Sequence, residues 1–399
     1  MLVFAAAAVG AGLVRTVATT YLPVLLAEIR EAPGLIGLVM IVNALAGFAV
    51  PLTVGLWSDR HHTPHRGRRP FIAGGCAITV LGLVAVTLGH QTTFLLLAFA
   101  GFVTYVGVNV VTTAHRALVH DCFEPGQRTR GNGAQEVAML VGALLGLVVG
   151  GMLGELAMWA PFLLAALAMP LLVWPTLRGV PVGENLDEDF PAHQHRPMRL
   201  YSRLLVRPGV RAMLAAEILW VLGYAALPVF FILYAQNVLG LGTGIASLWL
   251  AAFAVVAGIA MLAAGRLRSA RLHKPLLIIG VAVMGVGFLG IAAFTDLVAV
   301  SMAVLLAAVG FGMISTLGYA LFAHLIPRGE AGSYTALYFS LRAAAAVVAL
   351  PIAGWTIAAT DSYRSMFVLG GAATLAALLP LAWAPGPRRA AILRERAAV

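Results

Sequence analysis

Four ionisable side chains stand inside long apolar runs of this 399-residue chain: Arg15, Glu136, Glu217 and Arg342. A charge at membrane depth costs about 2.5–3.5 kcal/mol on insertion scales, so each is a candidate for function. A carboxylate and a guanidinium in such surroundings can do two things. They can hold one another and fix helix register, or they can part, whereupon the carboxylate, left without its cation, takes up a proton. Polar and aromatic residues gather beside them at helical spacing. Glu217, Trp220 and Tyr224 fall at i, i+3 and i+7; Tyr105, Asn109, Thr112 and Arg116 fall at i, i+4, i+7 and i+11; Tyr338 and Arg342 are four apart. Each set occupies one helix face. Rings can stack on the apolar faces of a sugar while polar groups take its hydroxyls, so these stripes suit a solute cavity as well as they suit packing.

The elements that must carry these residues follow from composition. The chain is 61% hydrophobic and 11% charged, with a mean hydropathy of +0.94, against roughly 25% charged residues in soluble domains. Soluble, disordered and collagen-like chains are excluded, and two cysteines, Cys76 and Cys122, make no disulfide framework. Long apolar blocks rather than weak alternation point to helices, so an all-α membrane protein is expected. Twelve blocks are long enough to span: 2–27, 33–57, 70–89, 92–117, 131–153, 156–177, 209–236, 242–264, 275–294, 297–323, 332–358 and 363–384. The first lacks a basic leader and exceeds signal-peptide length, so it reads as a span.

Charge placement sets orientation. Of the 26 basic residues, 20 lie on one alternating set of loops and tails, whereas the opposite set holds only Arg30 and Arg364. Both termini and the loop from Arg178 to Pro208 are therefore expected on the cytoplasmic side, in a plasma (inner) membrane. The net charge of +10 reports this topology and does not imply nucleic acid. The spans divide six and six, which predicts bundles over 1–177 and 209–384, a cytoplasmic linker over 178–208 and a tail over 385–399. Gly131 and Gly332 stand 201 residues apart, Arg15 and Glu217 202, and Gly55 and Gly265 210, as a duplication would place them.

Between the second and third spans stands GLWSDRHHTPHRGRRPFI, residues 55–72. Read as a polar loop, it offers Gly55 for close helix approach, Asp59 as an acceptor for a helix N-terminus or an arginine, and Arg66, Arg68 and Arg69 for acids or lipid headgroups. This segment resembles the signature loop of the major facilitator superfamily, and its GxWSDR followed by GRRPFI is similar to the sucrose and glycoside–pentoside–hexuronide branch. The resemblance rests on Gly55, Ser58, Asp59, Arg60, Gly67, Arg68 and Arg69. It extends to NVVTTAHRALVHDCFEPGQRTRGNG, residues 109–133, with Asn109, Arg116, Asp121, Arg128 and Arg130. Where plant-type sucrose carriers place an acid in the fourth helix, this chain has Tyr105, so that branch's route of proton-coupled sucrose uptake is not carried over. The superfamily's antiporters carry a Gly-Pro pair in the fifth helix. Here Gly142, Gly146, Gly150 and Gly154 recur every four residues without proline, which reads as tight packing and tilts away from drug–proton exchange.

The resemblance implies two pseudo-symmetric six-helix bundles working by alternating access, with the first and seventh helices facing one central cavity. In that arrangement Glu217 pairs first with Arg342 and second with Arg15, and it is the expected coupling carboxylate; a static register pair is the alternative. Arg116 and Glu136, at matching depth near the cytoplasmic boundary, are expected to form a structural or gating clamp. If Glu217 belongs to Arg342, an unpaired Arg15 favours a solute carrying a carboxylate or phosphate, in competition with the neutral sugar that the resemblance suggests. No enzyme chemistry, cofactor or metal is expected. His61, His62 and His65 read as a solvated loop, and the absence of a Walker loop argues against an ATP-driven pump. Pro51, Pro228 and Pro351 are expected at bends, and Tyr21 and Trp383 as interfacial anchors. The expected function is secondary active transport of a small polar, sugar-like solute with a coupling proton, by a monomer in the lipid bilayer. Proton-coupled export of drugs or metabolites is the alternative.

Overall fold

A computed structural model describes residues 2–61, 68–122, 128–179, 208–267, 269–326 and 331–386. All regular structure among them is helical. The helices are α1 (Leu2–Ile29), α2 (Pro33–His61), α3 (Arg69–Gly89), α4 (Phe94–Cys122), α5 (Arg128–Leu156) and α6 (Ala160–Gly179), then α7 (Pro208–Tyr224), α8 (Leu227–Leu239), α9 (Thr243–Gly265), α10 (His273–Ala293), α11 (Leu297–Ala323), α12 (Ala331–Thr360), α13 (Arg364–Ala376) and α14 (Leu378–Trp383). Twelve spans of sufficient length and apolarity result, with α7 and α8 together forming the seventh and α13 and α14 the twelfth. This is an all-α multi-pass membrane protein.

Both broken spans have the same cause. Pro228 has no N–H for the carbonyl four residues back at Tyr224, and Pro380 none for Ala376; the helix stops at those carbonyls. Pro51 and Pro351, expected at bends as well, lie inside the continuous helices α2 and α12. The break in the twelfth span carried no expectation from sequence.

The described residues group into two compact units. The first takes α1–α6 together with Pro228–Gln236 and Gly240–Leu248; the second takes α7, Asn237–Leu239 and the chain from Trp249 onward. Within the first, α1 packs against α5 and α6, α3 against α4 and α6, and α2 against α4. Within the second, α7 packs against α12 and α13, and α10 against α11 and α13. Counted in spans, these neighbours repeat six positions on, which is the internal duplication written in packing.

Small residues make the repeated contacts possible. A Cβ on Gly82 of α3 would lie 2.5 Å from the Thr104 backbone nitrogen of α4, and one on Gly310 of α11 would lie 2.5 Å from that of Met284 in α10. Backbones this close exclude any side chain, so helix association rests on van der Waals contact where lipid offers no hydrophobic drive. The α5 glycine stripe meets α1 in the same way, Gly142 against Leu13, Gly146 against Thr16 and Gly150 against the Tyr21 ring. The four-residue spacing is tight packing, as expected.

The 55–72 segment is not a loop throughout. Helix α2 continues to His61, so Gly55, Ser58, Asp59 and Arg60 lie on its last two turns, and α3 begins at Arg69 with Pro70 in its first turn. The falling hydropathy marks the edge of the membrane, while nothing after Gly55 interrupts the helical hydrogen bonds. In the same way Asp121 lies on α4, and Arg128 and Arg130 open α5. Gly67, the side chains of Gly55–His61, Asp121 and Arg128, and the linker and tail beyond residues 179 and 386 lie outside the description.

Candidate solute and coupling site

In the second unit the ionisable cluster forms around Glu217 of α7. Its side chain is 0% exposed. The Tyr338 hydroxyl of α12 donates to Glu217 Oε2, and Arg342, one turn further along α12, sets its Nε 3.8 Å from Oε1. That distance is an ion pair without a hydrogen bond, and Oε1 has no hydrogen-bond partner. A buried carboxylate oxygen without a donor is expensive to keep ionised. Arg342 is 32% exposed, so it joins a sealed carboxylate to open space.

Aromatic rings surround this pair. The Arg342 guanidinium carbon lies 5.7 Å from the centre of the Tyr224 ring, within cation–π reach, and Tyr224 stands edge-on to Phe311 at 4.9 Å. Tyr338 packs against Phe322 at 4.9 Å and Tyr319 at 5.4 Å. Trp220 and Tyr338 converge over Gly318, where a Cβ would sit 3.2 Å from each. The structure thus brings together Glu217, Trp220, Tyr224, Tyr338 and Arg342, the five positions of this half that sequence singled out.

The first unit places Arg15 on α1 beside α4. Its Nη2 donates to Asn109 Oδ1 at 3.0 Å; Asn109 Nδ2 donates to the Tyr105 carbonyl at 2.8 Å; the Tyr105 hydroxyl donates to Thr19 Oγ1 at 3.3 Å. Tyr105 and Asn109 are buried, whereas Arg15 is exposed. Thr112 spends its hydroxyl proton on the Val108 carbonyl of its own helix, at 2.7 Å. Nearer the helix ends, Arg116 Nη2 lies 3.0 Å from Glu136 Oε1, with side chains 54% and 64% exposed. This pair is exposed, unlike the one at Glu217. Arg68 is nearly buried and Arg130 exposed.

Two residues carry more than sequence reasoning allotted them. Tyr21, expected as an interfacial anchor, is fully buried and hydrogen-bonds the Gly146 and Leu147 carbonyls and Ser247 Oγ at 3.1–3.2 Å. It sits eight residues inside the end of α1, where an anchor has no interface to reach. Trp383, by contrast, is 84% exposed. His115 was passed over although it lies within the fourth span. Its Nε2 meets the Phe4 carbonyl at 2.7 Å; a carbonyl only accepts, so Nε2 holds the proton and Nδ1 accepts from Gln135 Nε2 at 2.5 Å. The rule that flagged the four charges flags it too, once histidine is counted as ionisable at membrane depth.

No group of three His, Cys, Asp or Glu side chains suited to a metal occurs among the described residues; His62 and His65 and the His61 side chain lie outside them.

Comparison with known proteins agrees with this architecture. A stretch of 146 residues, 32% of this chain, is 30% identical to the sucrose transport protein SUT4 of Oryza sativa, in both its indica and japonica subspecies; the match spans 24% of those relatives' length. Among solved structures, a D-xylose–proton symporter superposes with a TM-score of 0.72 at 16% identity, covering 97% of this chain and 98% of that one. A bacterial homologue of the iron transporter ferroportin gives 0.72 at 17%, covering 96% and 97%, and the nucleoside transporter NupG gives 0.79 at 10%, covering 96% and 98%. At such identities these likenesses speak for the fold alone. The family model described as Major Facilitator Superfamily matches residues 4–349 and 243–397, and with twelve spanning helices and a duplicated packing order the chain belongs to that family of membrane transporters.

Proposed function

We propose that this transporter carries a small polar, sugar-like solute by proton-coupled symport, with Glu217 as the coupling carboxylate. The observation that carries the reading is Glu217 itself: wholly buried, held at Oε2 by Tyr338, and left at Oε1 without a hydrogen bond, 3.8 Å from Arg342. A proton arriving at Oε1 removes a buried charge and frees Arg342 to turn toward its exposed side. Loss of the proton restores the pair. A group that binds its proton in one state and its arginine in the other is what couples a gradient to alternating access. The Tyr224 ring lies beside the pair, against the Arg342 guanidinium. The partial likeness to sucrose carriers supports a sugar-like solute. In this reading the carrier lies in the inner membrane with both termini in the cytoplasm.

The test is solute accumulation in proteoliposomes holding the purified protein under an imposed pH gradient. Uptake that follows the proton, lost in Glu217→Gln while solute exchange at equal pH persists, is the expected result. Full gradient-driven accumulation by Glu217→Gln overturns the assignment, and expulsion of solute against proton entry favours an exporter.

A further inference from the structure

Arg15 is a cation at the middle of the membrane with no ion-pair partner among the described residues. It stands halfway along α1, roughly 20 Å from either helix end, near the midplane of an apolar core about 30 Å thick. Between Phe4 and Ala27 it is the one exposed side chain of the helix. A guanidinium opened to lipid at that depth is costly, so the exposed surface is wet. A structural arginine is surrounded by acceptors; among the described residues this one has a single hydrogen bond, to Asn109 Oδ1. No carboxylate of the described residues pairs with it, and Glu136 on the neighbouring α5 belongs to Arg116.

The neutral groups around Arg15 are committed as well. The Asn109 amide nitrogen is turned to the Tyr105 carbonyl, the Tyr105 hydroxyl to Thr19, and the Thr112 and Thr113 hydroxyls to carbonyls of their own helix. Among the described residues no carboxylate lies within ion-pair distance of Arg15, and the field of Glu136 is shared with Arg116. The free edge of the guanidinium is a planar fork of N–H groups, a shape that takes a carboxylate or phosphate through two parallel hydrogen bonds.

We infer that Arg15 receives an anionic group on the transported solute, a carboxylate or a phosphate, so that the cargo is a sugar acid or sugar phosphate rather than a neutral sugar. The inference rests on the proposed carriage of a small polar solute and narrows it. For a monoanion such as a sugar carboxylate it also sets the electrical character of the cycle. Arg15, Glu217 and Arg342 together carry one positive charge with Glu217 ionised and two with it protonated; a monoanion on Arg15 returns the loaded carrier to one. Symport of one proton with one monoanion moves no net charge, whereas a proton with a neutral sugar moves one.

The full-length carrier in nanodiscs is titrated with gluconate, with glucose 6-phosphate and with glucose at constant ionic strength, following thermal stability. Stabilisation by an anion and none by glucose is expected. Arg15→Gln then weakens the anion about 10- to 100-fold, the worth of hydrogen bonds to a charged group. Arg15→Lys, which keeps the charge and loses the fork, falls between and serves if Arg15→Gln does not fold. Response to gluconate alone names a carboxylate, to glucose 6-phosphate alone a phosphate. Equal stabilisation by glucose, absence of any anion-selective shift, or anion affinity unchanged in both variants overturns the inference. Failure here is separable from failure of the symport reading: anion binding at Arg15 without pH-driven accumulation overturns symport alone, and pH-driven accumulation of glucose by Arg15→Gln overturns the anion alone.

Discussion

Two ion pairs of the same chemistry stand in opposite surroundings. Glu217 is sealed, with Tyr338 donating to one oxygen, while Glu136 and its arginine are more than half exposed. Removing the donor to a buried carboxylate costs about 1.5–3 kcal/mol. Tyr338→Phe, which keeps the ring against Phe322 and Tyr319, is therefore expected to lower the melting temperature of the purified carrier by several degrees, and an unchanged melting curve counts against the hydrogen bond. An exposed pair contributes about 0–1 kcal/mol because water screens it. Glu136→Gln is accordingly expected to leave thermal stability nearly unchanged, and any effect it has belongs in transport rate. Sequence offered both pairs by matching depth along helices. It could not say which was dry, because burial of one side chain depends on every helix around it.

Helix ends and helix contacts obey different rules, and the sequence spoke more clearly about the second. The four-residue glycine stripe of α5 announced its close contact with α1. Helix ends were harder: hydropathy placed a loop at Gly55, yet α2 runs on to His61, since leaving the membrane does not end a helix. Prolines were ambiguous in the same way. Pro228 breaks its span and Pro351 does not, although each removes the same N–H. On α3 two glycines give a controlled comparison. Gly82 faces the α4 backbone, whereas a Cβ on Gly74 would meet nothing within 4 Å. Gly82→Val is expected to cost about 1–3 kcal/mol or more through forced separation of α3 and α4, seen as lost yield of monodisperse protein, while Gly74→Ala gains or leaves stability unchanged. Equal behaviour of the two variants would refute the close approach.

At the scale of the whole chain, charge asymmetry gives an expected orientation. Twenty of the 26 basic residues fall on one set of loops and tails, and such a bias orients helical membrane proteins toward the cytoplasm. Single-cysteine reporters in a background lacking Cys76 and Cys122 check this: positions in the 180–207 linker and the C-terminal tail are expected to resist an impermeant thiol reagent on intact cells, and a position beside Arg30 to react. The reverse pattern overturns the orientation. The duplication, legible as offsets near 200 residues, returns in three dimensions as the same order of neighbours six spans on.

Composition, block length and the Gly55–Arg69 signature determined by themselves that this is a twelve-span helical transporter, because lipid leaves the backbone no other solution and hydropathy is a property of residues taken one stretch at a time. The tertiary structure decided what becomes of the charges. Glu217 and Arg342 lie 125 positions apart in the chain and meet on α7 and α12, and Arg15, the second partner expected from sequence, turns instead to the neutral amide of Asn109. Pairing is a matter of distance and dielectric, and neither exists until the helices have packed.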